Sequence, residues 1–228
     1  TRMICPTEEE QMIYLSTLEQ DIRQFLETNS FSLRGFDIGG GTPTCLSDRA
    51  FQYLMSIYQH VCESVPRTPD FEPSIESTFQ TCTASKLSAI VLGLQSTDAR
   101  MLHACSRATS SVEHMQTKMQ LAYEAGIHKI NLDLMYGLPH QSLESIHSDL
   151  QIIRALDPEQ VTVYELRTNQ LNSAVSQSPE FLYDCYCLLY DSLTQMGYHA
   201  HFGQNTFSKD PDDYGVSSYL RSRMLEAT

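Results

Sequence analysis

Hydrophobic positions along the chain alternate between helical spacing and short continuous runs. Leu15, Leu18, Ile22 and Phe25 recur every three or four residues behind a Thr7-x-x-Glu10 capping box, which predicts an amphipathic helix. Residues 34–39 read as a strand that enters Gly39-Gly40-Gly41, and Ser47 then caps a helix with Phe51, Leu54, Met55, Tyr58 and Cys62 on its buried face. Phe71–Ile75, ending at Glu76, and Ser88–Leu94, ending at Gln95, are apolar runs that predict two buried strands. Ser110-x-x-Glu113 opens a further helix that stops at Ala125-Gly126. Lys129–Leu134 predicts a strand, and Leu143, Ile146, Leu150 and Ile153 a helix closed by Asp157-Pro158. Gln160–Leu166 is another strand. Ser178-Pro179 starts a helix carrying Phe181, Cys185, Leu188, Leu189 and Met196 and ending at Gly197, and Tyr198–Phe202 is the last strand-like piece.

Continuously apolar strands alternating with helices predict parallel β/α units, hence an α/β fold. No Gly/Ser linker or low-complexity stretch divides the chain, so residues 1–228 read as one domain. Functional residues in such folds gather at the C-terminal ends of strands. Here those ends carry Gly39–Thr42, Glu76, Gln95, Asp133 and Glu165, the pattern of one ligand site. Only a backbone without Cβ approaches a ligand closely while turning sharply, which gives the glycine run its meaning. It is neither a phosphate loop ending in Gly-Lys-Ser/Thr nor the spaced-glycine dinucleotide fingerprint.

Composition narrows the partners. A net charge of −13 with no basic stripe argues against nucleic acid. No apolar run is long enough to span a bilayer, and no signal-peptide pattern opens the chain. Seven scattered cysteines, an odd number, point to reduced thiols and a cytoplasmic location. The histidines are dispersed, with none at metal-ligand spacing. The first residue is Thr1 and the pattern is still running at Arg221–Thr228, so the chain reads as a piece of a longer protein.

Phe36-Asp-Ile-Gly-Gly-Gly-Thr-Pro-Thr, Ile75-Glu76, Gly93-Leu-Gln-Ser and Arg107, twelve residues after Gln95, together resemble radical S-adenosylmethionine (SAM) enzymes. Asn131-Leu-Asp-Leu-Met-Tyr-Gly-Leu-Pro-His-Gln-Ser-Leu-Glu, followed by Tyr164-Glu-Leu, is similar to the oxygen-independent coproporphyrinogen III oxidase-like group within them. The likeness covers nearly the whole chain in order. It implies a partial, open (β/α)6 barrel whose residues 198–228 lead into a substrate-facing C-terminal region. It further implies that Gly40, Gly41 and Thr42 hold the amino end of the SAM methionyl group, with Glu76, Gln95, Arg107 and Asp133 as further SAM contacts. Arg107 suits the methionyl carboxylate as a charge-assisted fork. Tyr164 and Glu165 are implied neighbours of adenine or substrate.

In that family a [4Fe–4S] cluster, held by Cys-x3-Cys-x2-Cys after the first strand, delivers an electron to SAM and yields a 5′-deoxyadenosyl radical that abstracts hydrogen. A reducing electron donor and a porphyrinogen-like substrate are therefore the implied partners. No such cysteine triplet occurs in residues 1–228, so the first strand and cluster loop are expected upstream of Thr1, and the radical chemistry is not expected from this chain by itself. The stretch from Glu76 to Gln95 also looks about two turns short of the family's crossover helix. Three other readings remain open: a related radical SAM methyltransferase, a cluster-less protein that binds SAM or haem without catalysis, and an unrelated β/α enzyme using the glycine turn for phosphate.

Overall fold

A computed structural model of the chain describes residues 6–93, 101–105, 111–166 and 177–213. Along the chain run α1 (Glu8–Thr28), β1 (Leu33–Ile38), α2 (Asp48–Ser64), β2 (Arg67–Thr78), α3 (Ala84–Gly93), β3 (Met101–Cys105), α4 (Val112–Glu124), β4 (Lys129–Tyr136), α5 (Leu143–Leu156), β5 (Gln160–Glu165), α6 (Pro179–Gln195) and β6 (Thr206–Ser208). The alternation is the predicted α/β order. Contacts group the chain into two compact units, one holding α1, β1, α2, β2 and α3 and the other β4, α5, β5, α6 and β6.

In the first unit the Thr7 capping box forms as the sequence implies. The Glu10 amide donates to Thr7 Oγ1 (3.3 Å), while Glu10 Oε2 accepts from the Thr7 amide (2.7 Å). β1 and β2 pair in parallel, with Phe36 beside Pro73, Asp37 beside Ser74 and Ile38 beside Ile75. Alternation along the strands sends Phe71 and Ile75 into the core. On the same face Phe36 meets Tyr58 of α2 edge-on, ring centroids 4.9 Å apart. The opposite face carries Asp37, Ser74 and Glu76, with Ser74 donating to Asp37.

In the second unit β4 and β5 are parallel and β6 returns antiparallel to β5. Val161, Val163 and Phe207 pack with Ile146, Leu150 and Ile153 of α5 and with Cys185, Leu189 and Leu193 of α6. α5 is capped by Ser142, and it ends at Asp157 in the left-handed region (φ 50°). The Pro that follows blocks further helix.

Three expectations are corrected. The run Ser88–Leu94 is not a strand: through Gly93 it is the end of α3, and the strand falls later, at Met101–Cys105. A short apolar run carries no period that separates strand from buried helix. Here Thr83 decides, accepting the Lys86 amide through Oγ1 (3.3 Å) and the Leu87 amide through its carbonyl (2.9 Å) as a helix start. α4 is capped by Ser111, whose Oγ accepts the His114 amide (3.3 Å), one residue beyond the predicted cap. Tyr198–Phe202 forms only an isolated bridge, His199 to Ser208, because the chain turns at His201–Gln204 with Gly203 at φ 93°. The strand it was expected to supply is Thr206–Ser208.

Leu189 on α6 is wholly buried whereas Tyr183, on the same helix, is 61% exposed. Leu189→Ala is expected to cost about 2–5 kcal/mol in urea unfolding, and Tyr183→Ala under about 0.5 kcal/mol. Equal costs would contradict this packing.

Candidate functional site

The parallel register of β1 and β2 fixes the first half of the site. With Ile38 beside Ile75, the next positions, Gly39 and Glu76, fall side by side. A Cβ on Gly39 would lie 2.9 Å from both Cδ and Oε1 of Glu76. Glycine leaves room for the carboxylate to lie against the turn, where a Cβ would push the end of the Glu76 side chain aside. Gly40 follows at φ 92°, a conformation that side chains with Cβ rarely adopt, and around both Gly40 and Gly41 an added Cβ would meet nothing within 4 Å. The turn's backbone is thus left uncovered beside an acidic group. Pro43–Cys45 then makes one 3-10 turn, the Cys45 amide donating to the Thr42 carbonyl (2.8 Å), before Ser47 caps α2. A cavity of about 460 Å³ adjoins the turn, walled by Leu15 and Leu18 of α1, Phe36 of β1 and Tyr58 of α2.

Asp133 belongs to the second unit. It stands on β4 with Asn131 and Met135 on the face turned away from the α5–α6 core. Its Oδ1 accepts from Asn131 Nδ2 (2.9 Å), and Asn131 Oδ1 accepts in turn from Thr162 of β5 (2.8 Å). Asn131 is fully buried. A buried amide is tolerated because each end is hydrogen-bonded, and this chain of bonds aims the Asp133 carboxylate. Beyond it, Met135 pairs with Tyr164 and Tyr136 with Glu165 at the strand ends. Gln141 closes the loop after β4: Oε1 accepts the Leu138 amide (3.1 Å) and Nε2 donates to the Met135 carbonyl (3.3 Å).

The first unit sets Glu76 against Gly39, immediately before Gly40, Gly41 and Thr42, and the second unit carries Asp133. Gln95 and Arg107 lie outside the described residues. Asn131 and Gln141 were not singled out by their sequence positions, since their roles rest on hydrogen bonds to neighbouring strands and loop carbonyls. Among the described residues no three His, Cys, Asp or Glu side chains come together as metal ligands. The sequence also holds no Cys-x3-Cys-x2-Cys triplet, so among the described residues nothing is arranged to hold an iron–sulfur cluster, while the glycine turn beside Glu76 is left open.

Two measurements check this geometry. Gly40→Ala meets no neighbour, so its cost is conformational, expected at roughly 1–2 kcal/mol in chemical denaturation. No loss would deny the left-handed turn. Burial, and after it the Glu165 carboxylate, pushes Tyr136 up to about 12. An unfolded tyrosine ionises near ~10, so Tyr136's contribution to stability is intact below that pH and is lost as pH rises through its folded value. Tyr136→Phe is expected to flatten part of the stability loss between about pH 10 and 12; an unchanged slope would contradict the assignment.

Residues 4–153 match the Radical SAM superfamily. Over 214 residues the chain is 28% identical to the heme chaperone HemW of Haemophilus influenzae, covering 85% of this chain and 54% of that protein. Over 222 residues it is 27% identical to the oxygen-independent coproporphyrinogen III oxidase of Bradyrhizobium diazoefficiens, covering 90% and 48% respectively. The solved structure of coproporphyrinogen III oxidase HemN from Escherichia coli, described as a radical SAM enzyme, matches with a TM-score of 0.79 at 23% identity, over 97% of this chain and 53% of that one. The chain spans about half the length of these relatives. With the family match covering more than half of its residues and the fold in agreement, the chain belongs to the radical SAM superfamily.

Proposed function

We propose that this chain is the SAM-binding part of a radical SAM oxidoreductase that takes hydrogen from a porphyrinogen-like substrate. The observation that carries the reading is the uncovered glycine turn with Glu76 held against it, in a chain of this family. The SAM methionyl ammonium needs acceptors, and Glu76 and the turn's carbonyls supply them beside Gly40, Gly41 and Thr42. Arg107 takes the methionyl carboxylate and Gln95 a further polar group. Asp133, oriented by Asn131, accepts from a ribose hydroxyl. In this reading the fold is a partial (β/α)6 barrel, with the glycine turn following β1, Glu76 on β2 and Asp133 on β4.

Bound SAM would supply the hydrogen-abstracting group, with a [4Fe–4S] cluster and an electron donor as the source of the electron. Residues 1–228 themselves bind, orient and exclude water. The matches to coproporphyrinogen III oxidases support a porphyrinogen as the substrate class. A cytoplasmic setting fits the free thiols of Cys45, Cys62, Cys82, Cys185 and Cys187, and among the described residues no helix is long and apolar enough to cross a membrane. A second reading, SAM or haem binding without catalysis, draws support from the similarity to heme chaperones.

Calorimetric titration of the chain with SAM, paired with an absorbance titration with haem, tests the SAM site and separates it from a haem-only carrier. The oxidoreductase reading expects SAM binding that Glu76→Gln weakens roughly tenfold, the size of one charge-assisted hydrogen bond. A Soret shift with haem and no heat with SAM would favour the carrier instead.

A further inference from the structure

Beneath the glycine turn lies a buried polar assembly that the binding reading does not use. Thr44, fully buried, shares one hydrogen bond with Ser77 Oγ (2.8 Å) and another with Thr81 Oγ1 (2.7 Å). Thr81 continues the chain to Thr78 Oγ1 (2.8 Å). From α3, Lys86 reaches the same residue: its ammonium donates to the Thr44 carbonyl at 2.7 Å. Lys86 is only 8% exposed. Its ammonium is 3.7 Å from an Asp48 carboxylate that is itself largely exposed, and 6.0 Å from the centre of the Phe51 ring.

A buried ammonium held by a main-chain carbonyl is an expensive way to stabilise a helix contact, because desolvating the charge costs more than an apolar side chain would. What the arrangement does provide is position. Thr44 is two residues beyond Thr42, and Ser77 directly follows Glu76. The Thr44–Ser77 bond therefore ties the glycine turn to the strand end that carries the carboxylate, and Lys86 locks the main chain of the tie.

We propose that Lys86 and Thr44 are positioning residues that set the gap between the Gly39–Thr42 turn and the Glu76 carboxylate, and through it the affinity for the SAM methionyl group. This rests on reading the turn as a SAM site. The clamp itself is a matter of structure and has its own readout.

The test compares the full chain with Lys86→Met, Thr44→Val and Thr44→Ser by three measurements: amide hydrogen exchange across Gly39–Thr42, SAM affinity by calorimetry, and melting temperature. Lys86→Met and Thr44→Val are expected to speed exchange of the turn and weaken SAM roughly tenfold, the scale of one hydrogen bond to a charged or buried group. Lys86→Met should move melting little, since a buried charge has been replaced by a side chain of similar volume, whereas Thr44→Val leaves the Ser77 and Thr81 hydroxyls without that partner and is expected to lower melting by a few degrees. Thr44→Ser keeps the hydroxyl and is expected to restore both slow exchange and affinity. The clamp is overturned if Lys86→Met and Thr44→Val exchange like the parent, or if all three variants lose exchange protection and melting temperature together. Failure of the parent chain to bind SAM would defeat the SAM reading alone, and the exchange comparison would still decide the clamp.

Discussion

The parallel pairing of β1 with β2 is the constraint on which the site depends. A strand's side chains alternate, so a slip of one residue would send Phe36 and Ile38 away from α2 and turn Glu76 into the core. The apolar face fixes that register through Phe36 against Tyr58 and through buried Ile38 and Ile75. Once it is fixed, Gly39 and Glu76 have no choice but to meet. Hydrophobic packing on one face thereby positions a carboxylate on the other.

The second unit repeats the division of labour. Val161, Val163 and Tyr136 bind β4 and β5 to their helices, while Asn131, Asp133 and Thr162 form a hydrogen-bonded row on the reverse face. Burying Asn131 costs free energy that an apolar residue would not, and the return is a carboxylate with a defined direction. Here a buried polar residue, Asn131, orients a carboxylate on β4, Asp133.

Much of this was legible in the residues. The caps at Thr7, Ser47 and Ser178 named three helix starts, and the glycine run marked the turn because glycine adopts a positive φ without the steric cost a Cβ brings. The Ser88–Leu94 run misled because every position is small or apolar, leaving no period to read. Its helical state follows from Thr83 at its start, a local signal outweighed by the run itself. Tyr198–Phe202 failed for the opposite reason: its alternation is real, but a turn at Gly203 delays the pairing to Thr206–Ser208. Lys86 carries no sequence signature, because its partner Thr44 is distant in the chain, and the link from Asn131 to Thr162 is hidden for the same reason.

The most direct test of the account is nuclear magnetic resonance titration of the labelled chain with SAM and, separately, with inorganic phosphate. The account predicts that SAM shifts the backbone signals of Gly39–Thr42 together with the side-chain carboxyl of Glu76, and that phosphate leaves them in place. Shifts at the turn with phosphate and none with SAM would contradict it, and would make the turn an anion site rather than a seat for the methionyl group.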